Sequence, residues 1–491
     1  MSYDGLSRRH FFFGSLLAGA VPVAGFGSTP SLKFMGYKSP NEKLNIASIG
    51  AGGKAESDIV GCESENIVAL CDVDSKKAAK MFAKYEKLPK YKDFREMLDK
   101  EAKNIDACIV AIPDFMHGTV ANWCMERGKH VYVQKPLTRT VWEARTLVQT
   151  AAKYKVATQM GNQGYSNEGT RVCAEMVWSG AIGDVTEVHA WTNRPIWPQG
   201  MQDLPAETAV PDTLNWDGWL GIQSMRPYSP AYLPFAWRGW LDFGCGSLGD
   251  MACHILGAPN MALRLGAPSS VECTHIEGKS KYAYPTKSTI RFDFPARGSM
   301  PAVKIFWYDA AQVPPFRPQG LSEDEILGDL PRGGGGGGRR RQAQPAAAAD
   351  AAPAAAQDSN ARLEANVTRM AQRGSNGSLF VGDKGFITTG TYGEGTRLLP
   401  DERMKDYKLP PQFLTRSPGH YRDWIRACKG GERSCSDFTL TAPFTEWILL
   451  GVIALHFEGK LEWDSAKMRF TNKPEANEML KPKFRKGWQF T

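Results

Sequence analysis

Short apolar runs alternate with helical segments over the first third of the chain. Between two of these runs, Val120, Trp123 and Cys124 recur at helical spacing, and Gly128 ends the helix. Strands that alternate with helices of this length are typical of a doubly wound parallel sheet. We therefore predict an α/β domain over residues 44–165. Its strands are predicted at Lys43–Ile49, Ile67–Cys71, Ala107–Ile112, His130–Val133 and Val156–Met160.

The pattern changes beyond about residue 165, where apolar and polar side chains alternate one by one. Ile290, Phe292 and Phe294 are separated by single charged residues. This period of two indicates strands with one buried face, and several in succession favour a largely antiparallel sheet. We predict a second, α+β domain over residues 166–491. Other strands of this kind are predicted near Val185–Ala190, Ser270–His275, Val303–Trp307 and Leu379–Thr389.

The beginning of the chain has the pattern of an export signal. Arg8 and Arg9 precede an apolar stretch, Phe11–Val23, that is short for a membrane span. We interpret residues 1–28 as a twin-arginine signal peptide that sends the folded protein to the periplasm. The mature chain is then expected to have no transmembrane span. A disordered or anchoring N-terminus is the alternative.

Composition sets bounds on function. The 491 residues are 42% apolar and 23% charged, as in ordinary globular proteins of two or three domains. The formal charge is only +8, and part of it lies in the leader and in a Gly-, Arg- and Ala-rich segment, so nucleic-acid binding is not predicted. That segment, 331–360, is predicted to be a disordered loop, or alternatively a tail for anionic glycans. The ten cysteines include no C-x-x-C pair and are interpreted as reduced core residues.

A glycine-rich turn follows the first predicted strand. Gly50, Gly52 and Gly53 would let the backbone approach a pyrophosphate at the N-terminus of the next helix. Asp72 lies about 20 residues further on, where a carboxylate accepts hydrogen bonds from ribose hydroxyls and repels a 2′-phosphate. This arrangement predicts a Rossmann domain that binds NAD in preference to NADP. The alternative is that Asp72 only begins a turn between a strand and a helix.

Gln134, Lys135 and Pro136 follow the fourth predicted strand. They lie at its carboxyl end, where ligands bind in open α/β sheets. Lys135 could hydrogen-bond a substrate hydroxyl there and stabilise the alkoxide that forms when the proton leaves. An exposed lysine in a turn is the alternative.

Asp250 and His254 form the third candidate feature. A run of glycines precedes a predicted helix that places these two side chains one turn apart on the same face. An imidazole beside a carboxylate can take up a hydroxyl proton. Two alternatives stay open. Ser247 and Asp250 match a capping box, which would make the aspartate structural. The pair could also hold a metal, but no third ligand is evident and we predict none.

These features together resemble the Gfo/Idh/MocA family of oxidoreductases, from about residue 44 to the end of the chain. Ile112–His117 is similar to the family's P-x-x-x-H segment beside the cofactor. Gln134–Pro136 is similar to its E-K-P motif, and Asp250–His254 to its D-x-x-x-H motif. The late segments Gly419–Trp424 and Leu449–Leu455 also resemble the family.

The resemblance implies roles for these residues. Lys135 and His254 would handle the proton, and Asp250 would orient the imidazole or contact the substrate. It also implies association into a homo-oligomer through the C-terminal sheet. Gln134 stands where glutamate is usual, which removes a negative charge near the nicotinamide pocket and leaves the role of that position open. The implied cofactor contacts in this part of the chain are Pro113, His117, Gln134 and Lys135.

Six tryptophans precede the Asp/His helix, and aromatic faces suit the C–H faces of a sugar ring. We expect one or two of the six at the substrate and the others in packing roles. Trp237, Arg238 and Asn162 are the predicted substrate contacts.

The predicted function is an NAD-dependent oxidoreductase that acts on a sugar or glycoside hydroxyl carbon with a tightly bound cofactor. One alternative is a redox-neutral glycoside hydrolase or lyase that oxidises its substrate transiently. The family's NAD-dependent α-N-acetylgalactosaminidases lack a D-x-x-x-H of this form, so the motif does not favour that branch. A non-catalytic sugar- or partner-binding protein is the other alternative.

Overall fold

A computed structural model describes residues 42–330 and 376–489 of the chain. The predicted signal peptide, 1–28, and the predicted loop, 331–360, lie outside the described residues. Two sheets organise the described part.

The first sheet has six strands, and every neighbouring pair in it is parallel. The strands are β1 (Asn45–Ile49), β2 (Asn66–Cys71), β3 (Lys90–Tyr91), β4 (Ala107–Val110), β5 (His130–Val133) and β6 (Thr158–Met160). Their order is β3-β2-β1-β4-β5-β6, so the chain reverses direction across the sheet after β3. This confirms the doubly wound fold predicted from the alternating pattern.

Five helices connect these strands: α1 (Lys54–Gly61), α2 (Ala79–Lys84), α3 (Phe94–Lys100), α4 (Asp114–Glu126) and α5 (Val141–Tyr154). A capping box starts α5, because Thr140 accepts a hydrogen bond from the Glu143 N–H and Glu143 reaches back to the Thr140 N–H. Helix α4 is buried over most of its length, which fits its position against β4 and β5.

The second sheet has nine strands and is antiparallel except for one pair. Its strands are β7 (Val185–Trp191), β8 (Ser270–Glu277), β9 (Lys287–Phe294), β10 (Val303–Tyr308), β11 (Gly377–Gly382), β12 (Gly385–Thr389), β13 (Arg397–Leu399), β14 (Lys460–Asp464) and β15 (Arg469–Phe470). The order is β13-β12-β11-β7-β10-β9-β8-β14-β15, and only β7 and β10 run parallel. The predicted strand region Leu379–Thr389 is a hairpin that turns at Asp383 and Lys384.

Helices from the second part of the chain pack between and beside the sheets. They are α6 (Glu168–Trp178), α7 (Trp216–Leu220), α8 (Gly246–Ile255), α9 (Gly257–Ala262), α10 (Arg403–Asp406), α11 (His420–Cys428) and α12 (Phe438–Ala454), with 3₁₀ turns at Gln163–Ser166, Ala236–Gly239 and Pro474–Met479. The apolar helix α12 contacts α5 and α8. One core therefore runs through both sheets, and the boundary between residues 165 and 166 stays a prediction. No helix within the described ranges has both the length and the apolar character that a membrane span requires.

Candidate active site

A cavity of about 740 Å³ lies at the carboxyl edge of the six-stranded sheet. This volume falls in the range of about 300–1,000 Å³ that is typical of ligand pockets. The segments that follow β1, β2, β4 and β5 line one side of it. These segments contribute Gly50, Gly52, Gly53, Asp72, Pro113, Asp114, Gln134 and Lys135, and the second part of the chain contributes Trp219, Trp237, Arg238, His254 and Tyr392.

The glycine turn has the backbone geometry that a dinucleotide requires. Gly50 has a φ of +93°, and a Cβ there would lie 2.2 Å from the carbonyl oxygen of Ala111. Gly53 has a φ of +61° and precedes α1, and no side chain caps the helix. The first N–H groups of α1 are therefore available to an anion. These observations fit the pyrophosphate of a dinucleotide.

Asp72 is fixed against this turn at the end of β2. Its carboxylate accepts hydrogen bonds from the N–H groups of Ala51, at 2.8 Å, and Asp74, at 2.9 Å. Burial raises the pKa of Asp72 to about 6, against the lowering effect of these backbone donors. The ionised carboxylate fits ribose hydroxyls and would repel a 2′-phosphate, so the site favours NAD over NADP.

Lys135 follows β5 and lines the cavity, where its side chain contacts Asp250 from the second part of the chain. Its Nζ donates to the Asp250 carbonyl oxygen at 2.8 Å and to Asp250 Oδ1 at 2.9 Å. Arg238 Nε donates to the same Oδ1 at 3.2 Å. Burial alone would raise the pKa of Asp250, but the charges of Lys135 and Arg238 outweigh it and hold the pKa well below its ordinary value. Asp250 is therefore a permanent carboxylate that holds the lysine in place.

His254 lines the same cavity one helical turn beyond Asp250. Its Nδ1 is buried and has no hydrogen-bond partner among the described residues. Tyr392 packs edge-to-face on the imidazole with ring centroids 4.8 Å apart. Burial, reinforced by the nearby Lys135 ammonium, lowers the pKa of His254 well below its ordinary value. The ring is thus neutral near pH 7 and able to accept a proton.

The structure corrects two expectations about the Asp/His helix. Of the two roles implied for Asp250, orientation of the imidazole is not supported, because its carboxylate oxygen bonds Lys135 and Arg238 instead. The capping-box alternative is wrong, because α8 begins at Gly246 after Cys245 without a side-chain cap. Ser247 Oγ is buried, and no described group bonds it.

Gln134 bonds a buried carboxylate that the sequence did not point to. Its Nε2 donates to Asp58 Oδ2 at 2.7 Å. Asp58 is fully buried and also accepts hydrogen bonds from Lys54 Nζ at 2.5 Å and Tyr421 Oη at 2.7 Å. A glutamate at position 134 would bring a second carboxylate against Asp58. The glutamine therefore supplies the donor that this neighbour requires.

Two predicted contacts lie away from the cavity wall. His117 was predicted to contact the cofactor, but its Nδ1 and Nε2 each lie 2.7 Å from a backbone carbonyl oxygen, of Pro136 and Ile112. Burial lowers the pKa of His117 to about 4, against the raising effect of these two carbonyl contacts, and a neutral ring donates to only one of them. It connects the loops after β4 and β5 and in this way positions Lys135. The predicted substrate contact Asn162 is fully buried, and its side-chain polar atoms have no partner among the described residues.

Other predicted residues do reach the cavity. Trp237 and Arg238 line it, as does Trp219, so two of the six tryptophans lie at the site. Tyr392 and Asp114 also line it and were missed. Tyr392 comes from the β12–β13 loop, more than a hundred residues after His254, and carries no local motif. Asp114 follows Pro113 directly in the segment similar to P-x-x-x-H, so that motif could have identified it.

Comparison with known proteins agrees with this geometry. Residues 44–162 match the Gfo/Idh/MocA family model described as an oxidoreductase family with an NAD-binding Rossmann fold. Residues 176–280 match the model of the same family's C-terminal alpha/beta domain.

Two curated relatives match over part of their length. A glycosyl hydrolase family 109 protein of Solibacter usitatus is 30% identical over 210 residues, which cover 39% of this chain and 47% of that protein. An inositol 2-dehydrogenase of Serratia proteamaculans is 27% identical over 203 residues, which cover 38% of this chain and 59% of that protein. The chain thus spans roughly half the length of the curated relatives it matches.

A solved structure shares the fold over a longer stretch. The WlbA dehydrogenase of Bordetella pertussis, solved in complex with NADH and UDP-GlcNAcA, superposes with a TM-score of 0.54 at 12% identity. The match covers 86% of this chain and 99% of that one. At this identity the similarity concerns the fold alone.

Proposed function

The chain belongs to the Gfo/Idh/MocA oxidoreductase family, and on that premise we propose that it uses tightly bound NAD to oxidise a hydroxyl-bearing carbon of a sugar or glycoside. One observation carries the proposal. A fixed ammonium group, on Lys135, and a neutral imidazole, on His254, line the same cavity as the glycine turn.

The residues that would hold the cofactor are the glycines of the turn with the start of α1, and Asp72 for the ribose. Bound NAD would supply the acceptor for the hydride that leaves the sugar carbon. Pro113, Gln134 and Lys135 line the next part of the cavity, and they would hold the nicotinamide end of the cofactor.

Each polar residue then has a task that its surroundings favour. His254 accepts the hydroxyl proton, because burial keeps its ring neutral. Lys135 donates a hydrogen bond to the same oxygen and stabilises the negative charge that develops there. Asp250 orients the ammonium group through the 2.9 Å ion pair.

Substitution of the proton-handling pair tests this function. We expect His254→Ala and Lys135→Ala each to lower kcat by about 10²–10⁴-fold, the usual contribution of a positioned acid or base. Bound NAD, measured by mass spectrometry of the purified protein, should remain. His275→Ala and Lys153→Ala change exposed residues outside the cavity lining and serve as matched controls. Turnover that survives in His254→Ala and Lys135→Ala would show that neither residue handles the proton. A native protein that binds a sugar without any turnover would instead assign the cavity to sugar or partner binding.

A second candidate function is redox-neutral cleavage of a glycoside with the bound cofactor used catalytically. The 30% identical relative named as a glycosyl hydrolase family 109 protein favours it. Release of free sugar without an external electron acceptor would select cleavage. Oxidised sugar with an intact glycosidic bond, formed in step with reduced cofactor, would select the dehydrogenase.

We also propose export to the periplasm by the twin-arginine route. The paired arginines Arg8 and Arg9 before the apolar stretch Phe11–Val23 support this proposal. Cell fractionation of the full chain tests it. The double variant Arg8→Lys/Arg9→Lys should accumulate in the cytoplasm, and equal amounts of both proteins in the periplasm would contradict export by this route.

Self-association through the nine-stranded sheet is a further part of the proposal. It rests on the family resemblance, in which this sheet joins subunits. Light scattering coupled to size-exclusion chromatography should give a mass that is a multiple of the chain mass. A monomer at micromolar concentration would contradict it.

A further inference from the structure

Positive charge exceeds negative charge at one end of the cavity. We call this part the sugar end and define it by Lys135, Trp237, Arg238 and His254, which line it. Lys135 and Arg238 both bond to a single carboxylate oxygen of Asp250, at 2.9 and 3.2 Å. One carboxylate therefore faces two cations.

A third cation adds to this excess. Arg194 is only 8% exposed, and its charge acts on the same carboxylate of Asp250. Its Nη1 donates to the amide oxygen of Asn193 at 2.5 Å, which is a neutral partner, and the acids whose charges act on it are Asp250 and Asp329. Asp114 also lines the cavity, and burial raises its pKa to about 7, so it carries only part of a charge at neutral pH. Buried charge without a counter-charge is costly, which makes an anion a favoured ligand here.

Arg238 is the cation that is free to bind this anion. Its Nε is engaged by Asp250 and its Nη1 lies 3.3 Å from the Phe235 carbonyl oxygen, whereas Nη2 has no hydrogen-bond partner in the described part of the chain. The guanidinium carbon lies 4.3 Å from the Trp237 ring centroid and 4.7 Å from that of Phe235. These aromatic faces hold the guanidinium in one orientation and reduce its access to water.

We propose that the substrate carries an anionic substituent, a carboxylate or a phosphate, that pairs with Arg238. This inference rests on the proposed function, because it names the substrate class for the same site. A guanidinium pairs well with either anion through charge-assisted N–H···O bonds. The excess of cations at the sugar end then finds its counter-charge on the ligand.

Calorimetric titration of the NAD-loaded protein tests the proposal. The probes are matched methyl glycosides of glucose, galactose and mannose, each in its neutral form, as the uronic acid and as the 6-phosphate. We expect at least about tenfold tighter binding of one anionic form than of its neutral counterpart, because hydrogen bonds between charged partners are the strong ones. The uronate and phosphate arms identify which anion the site prefers.

Variants of Arg238 test whether the preference for anionic probes depends on this residue. Arg238→Met should remove the difference between anionic and neutral probes, and Arg238→Lys should keep part of it. Arg264→Met is the matched control, because Arg264 stacks 4.4 Å from the Trp178 ring centroid and is not part of the cavity lining. It should leave the preference unchanged. Equal or tighter binding of the neutral probes in all three series would overturn the proposal, as would a preference that persists in Arg238→Met.

Turnover measured on the same samples separates the two proposals. Oxidation or cleavage of neutral sugars that depends on His254 and shows no anionic preference would refute the substrate class and leave the proposed function standing. Binding of anionic sugars that depends on Arg238, without oxidation or cleavage of any probe, would support the ligand class and refute the proposed chemistry.

Discussion

The two ends of the cavity are built by different means. At the dinucleotide end, the cofactor would be held by the backbone of Gly50 and Gly53, the uncapped start of α1 and the carboxylate of Asp72. The sugar end consists of charged and aromatic side chains. Its central ion pair joins Lys135 to Asp250, which are 115 residues apart in the chain.

Because the two ends are built differently, substitutions at them should impair different properties of the protein. Changes at the dinucleotide end should remove the cofactor, because no other group can replace a backbone N–H. Changes at the sugar end should leave the cofactor bound and remove chemistry or substrate preference. Substitutions can therefore test each end independently.

The largest effect is expected at Gly50. In Gly50→Val, the new Cβ would lie 2.2 Å from the Ala111 carbonyl oxygen at a φ of +93°. Backbone strain and overpacking should lower the free energy of unfolding by at least about 2 kcal/mol, and the purified protein should contain no NAD. Gly128→Ala is the control, because Gly128 also has a positive φ, +70°, but nothing lies within 4 Å of its added Cβ. Retention of NAD in Gly50→Val would show that the turn does not hold the cofactor.

The next largest effect, a loss of NAD affinity, is expected when a carboxylate is introduced at position 134 opposite Asp58. Gln134→Glu places two carboxylates in contact and should weaken NAD binding by about tenfold or more, since like charges at this distance disfavour each other. Asp58→Asn in the same chain restores a donor opposite the carboxylate. The double variant should recover most of the lost affinity in a calorimetric titration with NAD. If the two substitutions instead weaken binding additively, the pair does not position this part of the site.

The two ends should also differ in their response to pH. Because the pKa of Asp72 is about 6, the carboxylate is ionised above that pH and becomes protonated below it. The affinity for NAD should fall by up to about tenfold per pH unit below 6, whereas Asp72→Asn should show a flat profile. The pKa of His254 is lowered, so its proton-accepting form persists as pH falls through 6.5. With NAD saturating, kcat should therefore hold at pH 6, and a kcat that halves near pH 6.5 would contradict the burial of His254.

The same contrast explains what the sequence could predict. The glycine turn, Asp72 and the strands around them were predicted because each is set by residues close in sequence. Asp250 and His254 were found from a local motif. The ion pairs of Asp250 with Lys135 and Arg238 were not predicted. The motif shows which side chains share a helix face, but it does not show which distant cation lies opposite them.

Three features of the site depend on contacts that no local pattern records. Asp58 looks like an ordinary helix residue, and only its hydrogen bonds with Gln134 and Tyr421 give it a role. His117 was assigned to the cofactor, but two backbone carbonyls occupy its ring nitrogens. Tyr392 lies in a loop whose sequence does not indicate that it packs on His254.

The central claim is that one cavity brings NAD, Lys135 and His254 to a sugar carbon. The most direct measurement is the absorbance of reduced nicotinamide in purified protein of known NAD content after a sugar from the probe panel is added. We predict that the absorbance rises in the native protein and does not rise in His254→Ala with NAD still bound. An NAD-loaded native protein that binds a sugar without any absorbance change or cleaved product, or a His254→Ala variant that reacts at the native rate, would contradict the claim.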